Sequence, residues 1–227
     1  MRAIKVSGFN VTIPHKVSII KYLDELDSTA KKAGAVNTVK NIEGVLKGYN
    51  TDIAGFIEPL RKRKIDFNGM TVLLLGAGGA ARAIVSALSE EKISKIIIAN
   101  RDLAKASDLA KMGEGLGLKC EVISFDDVQN HSLSADLIVN STSIGLANEA
   151  SPIDYEHIKK GSIVYDIVYR PVVTDLIENA KFAEAYVVYG YEMLLEQGAK
   201  AFEIWTGLEA PREAMKKNLL GIFGEPT

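Results

Sequence analysis

A lysine and an aspartate, each in a short polar stretch near the start of the chain, could together transfer a proton. Lys16 closes Asn-Val-Thr-Ile-Pro-His-Lys, and Asp52 closes Gly-Tyr-Asn-Thr-Asp. A lysine ammonium can donate to a reacting oxygen, and a neighbouring carboxylate can orient the ammonium and bind a substrate hydroxyl. Because the two residues are far apart in the sequence, spacing alone does not pair them. An exposed lysine and a helix-capping aspartate remain the alternative.

A glycine-rich turn, Gly-Ala-Gly-Gly-Ala, follows the apolar run Val72–Leu75 and opens a predicted helix over Ala80–Leu88. Gly76, Gly78 and Ala81 match the G-x-G-x-x-A pattern of dinucleotide sites. In that pattern the first glycine permits the turn, the second lets a pyrophosphate approach the backbone, and the alanine allows close packing. The helix N-terminus offers unpaired N–H groups to the phosphates. We expect Gly76, Ala77, Gly78, Gly79 and Ala80 to bind a cofactor; a turn that only connects strand to helix is the alternative.

The residues after the second apolar run favour NADP over NAD. An acidic residue there would bind the ribose hydroxyl of NAD, but the chain has Asn100 and Arg101, with Lys105 one turn later. A guanidinium suits a 2′-phosphate, and Lys105 would add a second positive charge. Asp102 would repel a phosphate if it pointed inward, so it keeps NAD open. A surface role for Arg101 is the alternative.

The composition is that of an ordinary globular protein. Of 227 residues, 47% are hydrophobic and 25% are charged, with a net charge of −2. That length allows one large domain or two small ones. The weak, scattered charge predicts no nucleic-acid partner. No apolar run is long enough for a membrane helix, and the N-terminus lacks a charged lead followed by an apolar core. We therefore expect no signal peptide, no membrane partner and a cytoplasmic location. Cys120 is the single cysteine, so an internal disulfide and a cysteine-based zinc site are excluded. We interpret it as a small apolar residue, and we expect no metal.

From Thr71 onwards, short apolar runs alternate with helical segments. This alternation predicts an α/β fold with a Rossmann-type, doubly wound parallel sheet. The tail predicts two helices over 191–223, broken near 207–211. The predicted strands are Val72–Leu75, Ile96–Ala99, Cys120–Ile123, Asp136–Val139, Ser162–Asp166 and Ala185–Val188.

The first 64 residues predict a smaller α/β region. Pro59 would kink or shorten a helix that begins near Thr51 or Asp52. The expected elements are a strand over Ser7–Ile13, a helix begun by Pro14 and continued through Val17–Leu23, a hairpin turning at Asn41–Gly44, the helix from Asp52, and a solvated linker (or, as the alternative, an anion site) at Arg61–Lys64.

Taken in order, these motifs resemble the shikimate dehydrogenase family over essentially the whole chain. The most specific of them are the stretches that end at Lys16 and Asp52 and a third over Gly190–Ala199. The resemblance implies reversible, NADP-linked reduction of 3-dehydroshikimate to shikimate. It implies a substrate domain of residues 1–62 completed by helices in 191–227, around an NADP domain of residues 63–190.

The resemblance also implies roles for individual residues. Lys16 would be the acid–base residue, and Asp52 would bind a substrate hydroxyl and hold the lysine. Further substrate contacts fall on Thr12, Asn37, Gln197 and, for the carboxylate, Tyr169. The cofactor positions are the glycine turn, Asn100 to Lys105, and, on the nicotinamide side, Thr142, Ile167 and Gly190.

The chain departs from the family pattern at its start. The family begins with a strand and a Ser-x-Ser turn that holds the substrate carboxylate, and this sequence lacks both. We therefore expect an apparently truncated substrate domain with an exposed sheet edge and apolar face, and a chain that binds NADP but turns over poorly. A quinate/shikimate enzyme that prefers NAD, a non-catalytic dinucleotide-binding relative, and a fragment without independent function are the alternatives. A homodimer also stays open.

Overall fold

The computed structural model describes residues 6–147 and 149–226, which form two β-sheets and the helices that cover them. The strands are β1 Gly8–Asn10, β2 Glu25–Leu26, β3 Thr38–Ile42, β4 Val45–Tyr49, β5 Thr71–Leu75, β6 Lys95–Asn100, β7 Cys120–Ser124, β8 Leu137–Asn140, β9 Ile163–Asp166 and β10 Tyr186–Val188. The helices are α1 Ser28–Ala33, α2 Asp52–Lys62, α3 Gly79–Leu88, α4 Leu103–Gly115, α5 Val128–Ser132, α6 Asp175–Phe182, α7 Gly190–Thr206 and α8 Arg212–Phe223.

The larger sheet has six parallel strands in the order β10-β9-β8-β5-β6-β7. The strand order reverses between β5 and β8, which is the position where doubly wound sheets bind their ligands. The predicted Rossmann-type fold is confirmed. Its six predicted strands are all present, and each strand end differs from its predicted position by at most one residue.

Both faces of this sheet are buried, because successive side chains of a strand point to opposite faces. In β5, Val72 and Leu74 join a core with α2, α3 and α4, while Leu73 and Leu75 join a core with α6 on the other face. All four side chains are fully buried. This explains why β5 reads as a continuous apolar run.

The smaller sheet is mixed, with the order β1-β3-β4-β2. Its predicted hairpin is confirmed: Glu43 and Gly44 link β3 to β4 with φ angles of 51° and 92°, as a tight hairpin requires. Strand β1 ends at Asn10, short of the predicted Ile13. Among the described residues β1 pairs with β3 alone, so it forms an edge of the sheet.

The predicted start of a helix at Pro14 is wrong, and two short elements of this region were missed. Pro14 lies in a turn and begins no helix, and the helical segment that follows is a 3-10 helix, Ser18–Tyr22. Strand β2 and helix α1 were not predicted from the sequence. Both are shorter than seven residues, too short for a periodic pattern to indicate them.

Helix α2 runs through Pro59 to Lys62, so the proline neither shortens it nor ends it. A proline cannot donate to the carbonyl four residues earlier, which here is Gly55. The buried Tyr165 hydroxyl donates to that carbonyl instead, at 3.5 Å. The tyrosine ring also stacks on Phe56 of α2, with 5.2 Å between centroids. Packing on β9 thus compensates for the missing helical bond.

The prediction of a linker at Arg61–Lys64 is wrong, although all four residues are exposed, as a solvated run would be. Arg61 and Lys62 belong to α2, and each of the first three cations pairs with a carboxylate of another helix or its end. Arg61 binds Glu91 at 2.8 Å, Lys62 binds the buried Glu196, and Arg63 binds Glu192 with both guanidinium nitrogens at 2.7 and 2.9 Å. These ion pairs tie α2 to the end of α3 and to α7.

Within the described ranges, no helix is both long enough and apolar enough to cross a membrane.

Candidate active site

Lys16 and Asp52 form a close ion pair. Lys16 Nζ donates to Asp52 Oδ2 at 2.6 Å, with 14% of the lysine side chain and 5% of the aspartate side chain exposed. Partial burial removes competing water and strengthens the attraction. The sequence could not pair these residues, and the structure does.

Asn37 fixes the other oxygen of the aspartate. Its amide nitrogen donates to Asp52 Oδ1 at 2.8 Å and lies 2.9 Å from Thr51 Oγ. The side-chain oxygen Oδ1 of Asn37 accepts from the Thr51 backbone N–H at 2.8 Å. Because Asn37 occupies Oδ1, the carboxylate presents Oδ2 to Lys16.

Three chain segments position this cluster. The backbone carbonyl of Lys16 accepts from Val36 N–H at 2.7 Å, which holds the loop after β1 against the residues before β3. Asp52 is the first residue of α2, where the helix dipole favours a negative charge. Thr51 is the N-cap residue as expected, but its side chain makes no capping bond, since its hydroxyl faces Asn37.

The other substrate residues implied by the resemblance lie at different distances from the pair. Gln197 on α7 joins the cluster, with its Oε1 3.4 Å from the Asn37 amide nitrogen. Thr12 is exposed in the loop before Lys16. Tyr169 packs its ring on Phe223 of α8, with 5.3 Å between centroids, and is 38% exposed. No described bond links Tyr169 to the pair.

The glycine turn has the geometry of a dinucleotide site. Gly76 has a φ angle of 102°, and a side chain there would collide with Ser141 Oγ at 2.8 Å. Gly78 precedes α3 as its N-cap residue, and nothing lies within 4 Å of the position that its side chain would take. Ala81 is fully buried. The open space at Gly78 beside free helix N–H groups fits a pyrophosphate.

The end of β6 presents one unpaired cation among the described residues. Arg101 is exposed and no described carboxylate pairs with it. The Asp102 carboxylate does not point inward, because it caps the N-terminus of α4. It accepts from Ala104 N–H at 3.1 Å and from Lys105 N–H at 3.2 Å. These backbone bonds and the Lys105 ammonium, 3.3 Å away, lower the pKa of Asp102. Lys105 therefore neutralises Asp102, which differs from its expected role as a free second cation.

On the opposite side of the switch point, Thr142 is held by Asn140. The Thr142 hydroxyl donates to Asn140 Oδ1 at 2.7 Å. Ile167 N–H donates to the Asn140 carbonyl at 3.1 Å. Gly190 begins α7 so close to this strand end that a side chain would lie 2.2 Å from the Val168 carbonyl oxygen. These three residues thus share one corner of the crevice.

The sequence did not single out Asp166, which organises that corner. Its carboxylate accepts from Asn140 Nδ2 at 3.0 Å, Val168 N–H at 3.0 Å and the Thr174 hydroxyl at 2.7 Å. Burial raises the pKa of Asp166 to about 6, against the lowering effect of these bonds. The available signal in the sequence was that Asp166 is an acidic residue at the end of an otherwise apolar strand.

A groove of about 270 Å³ lies elsewhere, between α1, α2, α3 and α7. Neither Lys16 nor the glycine turn lines it. Two of its charged side chains are already paired: Arg61 binds Glu91, and Glu90 binds Lys32. The polar groups converge instead at the Lys16 cluster.

Three family models match the chain in sequence order. Residues 1–39 match the shikimate dehydrogenase substrate binding domain, residues 59–167 match shikimate / quinate 5-dehydrogenase, and residues 190–220 match the shikimate 5′-dehydrogenase C-terminal domain. Together they cover most of the chain.

Individual relatives agree. The chain is 52% identical to a shikimate dehydrogenase (NADP(+)) of Nitrosopumilus maritimus, over 98% of this chain and 82% of that protein. A crystal structure of a shikimate dehydrogenase in complex with NADP+ superimposes with a TM-score of 0.90 at 38% identity, over 99% of this chain and 79% of the other. The structure of the quinate dehydrogenase of Corynebacterium glutamicum in complex with NAD superimposes with a TM-score of 0.90 at 29% identity, over 96% of this chain and 79% of the other.

Proposed function

The chain belongs to the shikimate dehydrogenase family, and from that premise we propose how its residues carry out the family reaction. It is an NADP-linked oxidoreductase for the reversible reduction of 3-dehydroshikimate to shikimate in aromatic amino acid biosynthesis. We assign the proton transfer to Lys16 and Asp52. The observation that carries this assignment is the 2.6 Å bond between Lys16 Nζ and Asp52 Oδ2 inside two family motifs.

Lys16 holds the proton that the reduction requires. NADPH, when bound, supplies the hydride that reaches the substrate carbonyl carbon. The carbonyl oxygen then gains a proton from the Lys16 ammonium and becomes the hydroxyl of shikimate; in oxidation the amine takes that proton back. Asp52 aims the ammonium, and Asn37 keeps Asp52 from rotating away. Fixed alignment of this kind lowers the entropic part of the barrier.

Substrate recognition falls to the polar groups around the pair. Asp52, Asn37 and Gln197 already converge, and their oxygens and amide groups suit the hydroxyls of a small polyol. Thr12 and Tyr169 complete the proposed set, with Tyr169 for the carboxylate. A substrate that lacks one hydroxyl would leave these groups unpaired and be rejected.

The cofactor residues fit NADP. Gly76 to Ala80 would hold the pyrophosphate, Asn100, Arg101 and Lys105 would flank the adenosine ribose, and Thr142, Ile167 and Gly190 would line the nicotinamide side. Arg101 supports a 2′-phosphate because no described carboxylate neutralises it. Asp102, whose carboxylate is taken up by α4, is poorly placed to bind the ribose hydroxyl of NAD.

We propose a matching domain organisation. Residues 1–62 with the helices of 191–227 would form the substrate domain, and residues 63–190 the NADP domain. The strands of the two sheets fall on either side of residue 62, which supports this division. A cytoplasmic location and a homodimer belong to the same proposal.

Initial rates with matched substrate and cofactor pairs test this function. The purified chain should oxidise shikimate with NADP at a higher kcat/KM than with NAD, and should prefer shikimate to quinate. Oxidation of quinate with NAD as the preferred pair would assign the quinate branch of the family. Binding of NADP without turnover of either substrate would indicate a non-catalytic relative.

A further inference from the structure

The side chain of Lys16 lies on Gly79, a residue of the nucleotide turn. A methyl group added to Gly79 would be 3.2 Å from Lys16 Cδ, 3.5 Å from Cβ and 3.7 Å from Cγ. Carbon atoms pack best at about 3.5–4.0 Å, so the nearest of these contacts would be too short. The lysine stem thus occupies the space that a side chain at Gly79 would need.

The backbone gives no reason for a glycine at this position. Gly79 is the first residue of α3, and its φ angle lies outside the left-handed region that favours glycine. The dinucleotide pattern is satisfied by Gly76, Gly78 and Ala81 without it. The neighbouring Gly78 differs, because no atom of the protein lies within 4 Å of a side chain added there. At Gly79, by contrast, the three nearest atoms to an added side chain all belong to Lys16.

The first turns of α3 and the region around Lys16 are joined at a second point. Arg82 donates from Nε to the Ala33 carbonyl at 2.9 Å, and its guanidinium packs on Gly34.

Lys16 itself has three contacts: its backbone carbonyl accepts from Val36 N–H, its aliphatic stem lies on Gly79, and its ammonium donates to Asp52.

We propose that Gly79 is a positioning residue for Lys16, so that the turn that holds the cofactor also sets the location of the proton donor. This inference rests on the proposed function of Lys16. It gives Gly79 a second task beside its proposed place in the pyrophosphate turn, whereas Gly78 has the phosphate task alone.

Gly79→Ala tests this role, with Gly78→Ala as the matched variant one residue away. In Gly79→Ala the lysine stem must move by a few tenths of an ångström, and we expect kcat for shikimate oxidation to fall on the order of 10-fold, since a 1 Å misplacement can cost about 100-fold. Gly78→Ala should raise the Kd for NADP. The Kd for NADP should rise less in Gly79→Ala than in Gly78→Ala, because Lys16 and not open space faces the added methyl group.

A second readout does not depend on turnover. Acetic anhydride acetylates lysine side chains, and peptide mass spectrometry measures the rate at Lys16. This rate reports the contact between Lys16 and Asp52. It should rise in Gly79→Ala and stay unchanged in Gly78→Ala. An unchanged acetylation rate in Gly79→Ala, or a rise in its NADP Kd equal to that of Gly78→Ala, would overturn the proposal. An unaltered chain that does not oxidise shikimate would refute the proposed function instead, and the acetylation rates would still decide the role of Gly79.

Discussion

Lys16 Nζ and Asp52 Oδ2 lie 2.6 Å apart although the residues are separated by 36 positions in the sequence. The bond joins the loop after β1 to the first residue of α2. Helix α2 in turn stacks Phe56 on Tyr165 of the six-stranded sheet. The proton-transfer pair is therefore held by elements of both sheets, and its geometry depends on how they pack together.

Arg101 should determine the preference for NADP. Arg101→Ala removes a guanidinium that would bind the 2′-phosphate, and charge-assisted hydrogen bonds contribute about 1.5–3 kcal/mol. We expect the KM for NADP to rise by about 10-fold or more and the KM for NAD to stay nearly constant. Initial rates with each cofactor at saturating shikimate measure both values.

Lys105→Ala is the control for Arg101→Ala. Lys105 Nζ is 3.3 Å from the Asp102 carboxylate, so its removal should change the KM for NADP less than the loss of Arg101. Equal changes with NADP and NAD in Arg101→Ala would mean that the arginine does not read the 2′-phosphate.

The sequence predicted the larger sheet well because each of its strands is buried on both faces and reads as an apolar run between helices. The glycine turn and Arg101 also follow local rules, since they lie directly after strands β5 and β6. The Lys16–Asp52 contact depends on tertiary packing, so only the family resemblance, and not spacing, indicated it.

Gly190 should be intolerant of any side chain. In Gly190→Ala the added methyl group would lie 2.2 Å from the Val168 carbonyl oxygen and 2.5 Å from that of Ile167, and both are backbone atoms. Relief requires a shift of the strand end, and overpacking of this kind costs about 1–3 kcal/mol. Urea unfolding should show a lower free energy of unfolding.

Gly198→Ala in the same helix provides the comparison. Its added methyl group would meet only Met215 Cε, at an ordinary 3.6 Å. Since alanine is the better helix former by about 1 kcal/mol, this variant should be as stable as the unaltered chain or more stable. Equal stabilities of the two variants would contradict the close approach at Gly190.

Asp166 should make stability fall as pH rises. Burial raises its pKa from 3.8 to about 6 in the folded chain, so between these values the folded state binds more protons than the unfolded state. Stability then decreases with rising pH. The shift corresponds to about 3 kcal/mol, lost progressively between those two values and fully lost above the higher one.

A comparison with Asp166→Asn isolates this effect. The asparagine has no titrating group, so the difference in free energy of unfolding between the two proteins should shrink or reverse as the pH rises from about 4 to about 7. Urea unfolding at several pH values measures the difference. A constant difference over that range would exclude a raised pKa at Asp166.

The network around Asp166 and the ion pairs of α2 show where sequence reasoning stopped. Arg61, Lys62 and Arg63 read as a solvated run because their partners Glu91, Glu196 and Glu192 lie 30 to 134 positions away. Asp166 gave only a weak signal, since its bonds to Asn140 and Thr174 depend on tertiary packing around β8 and β9. The expectation of poor turnover without the Ser-x-Ser turn stays a prediction.

The rate of shikimate oxidation with NADP in Lys16→Ala tests the assignment of Lys16 most directly. General acid–base catalysis contributes about 10²- to 10⁴-fold, so kcat should fall by at least about 100-fold while the Kd for NADP, measured by fluorescence titration, stays within about 2-fold. The exposed Lys31 serves as the matched control, and Lys31→Ala should keep the full rate. A Lys16→Ala variant with an unchanged kcat would contradict the account.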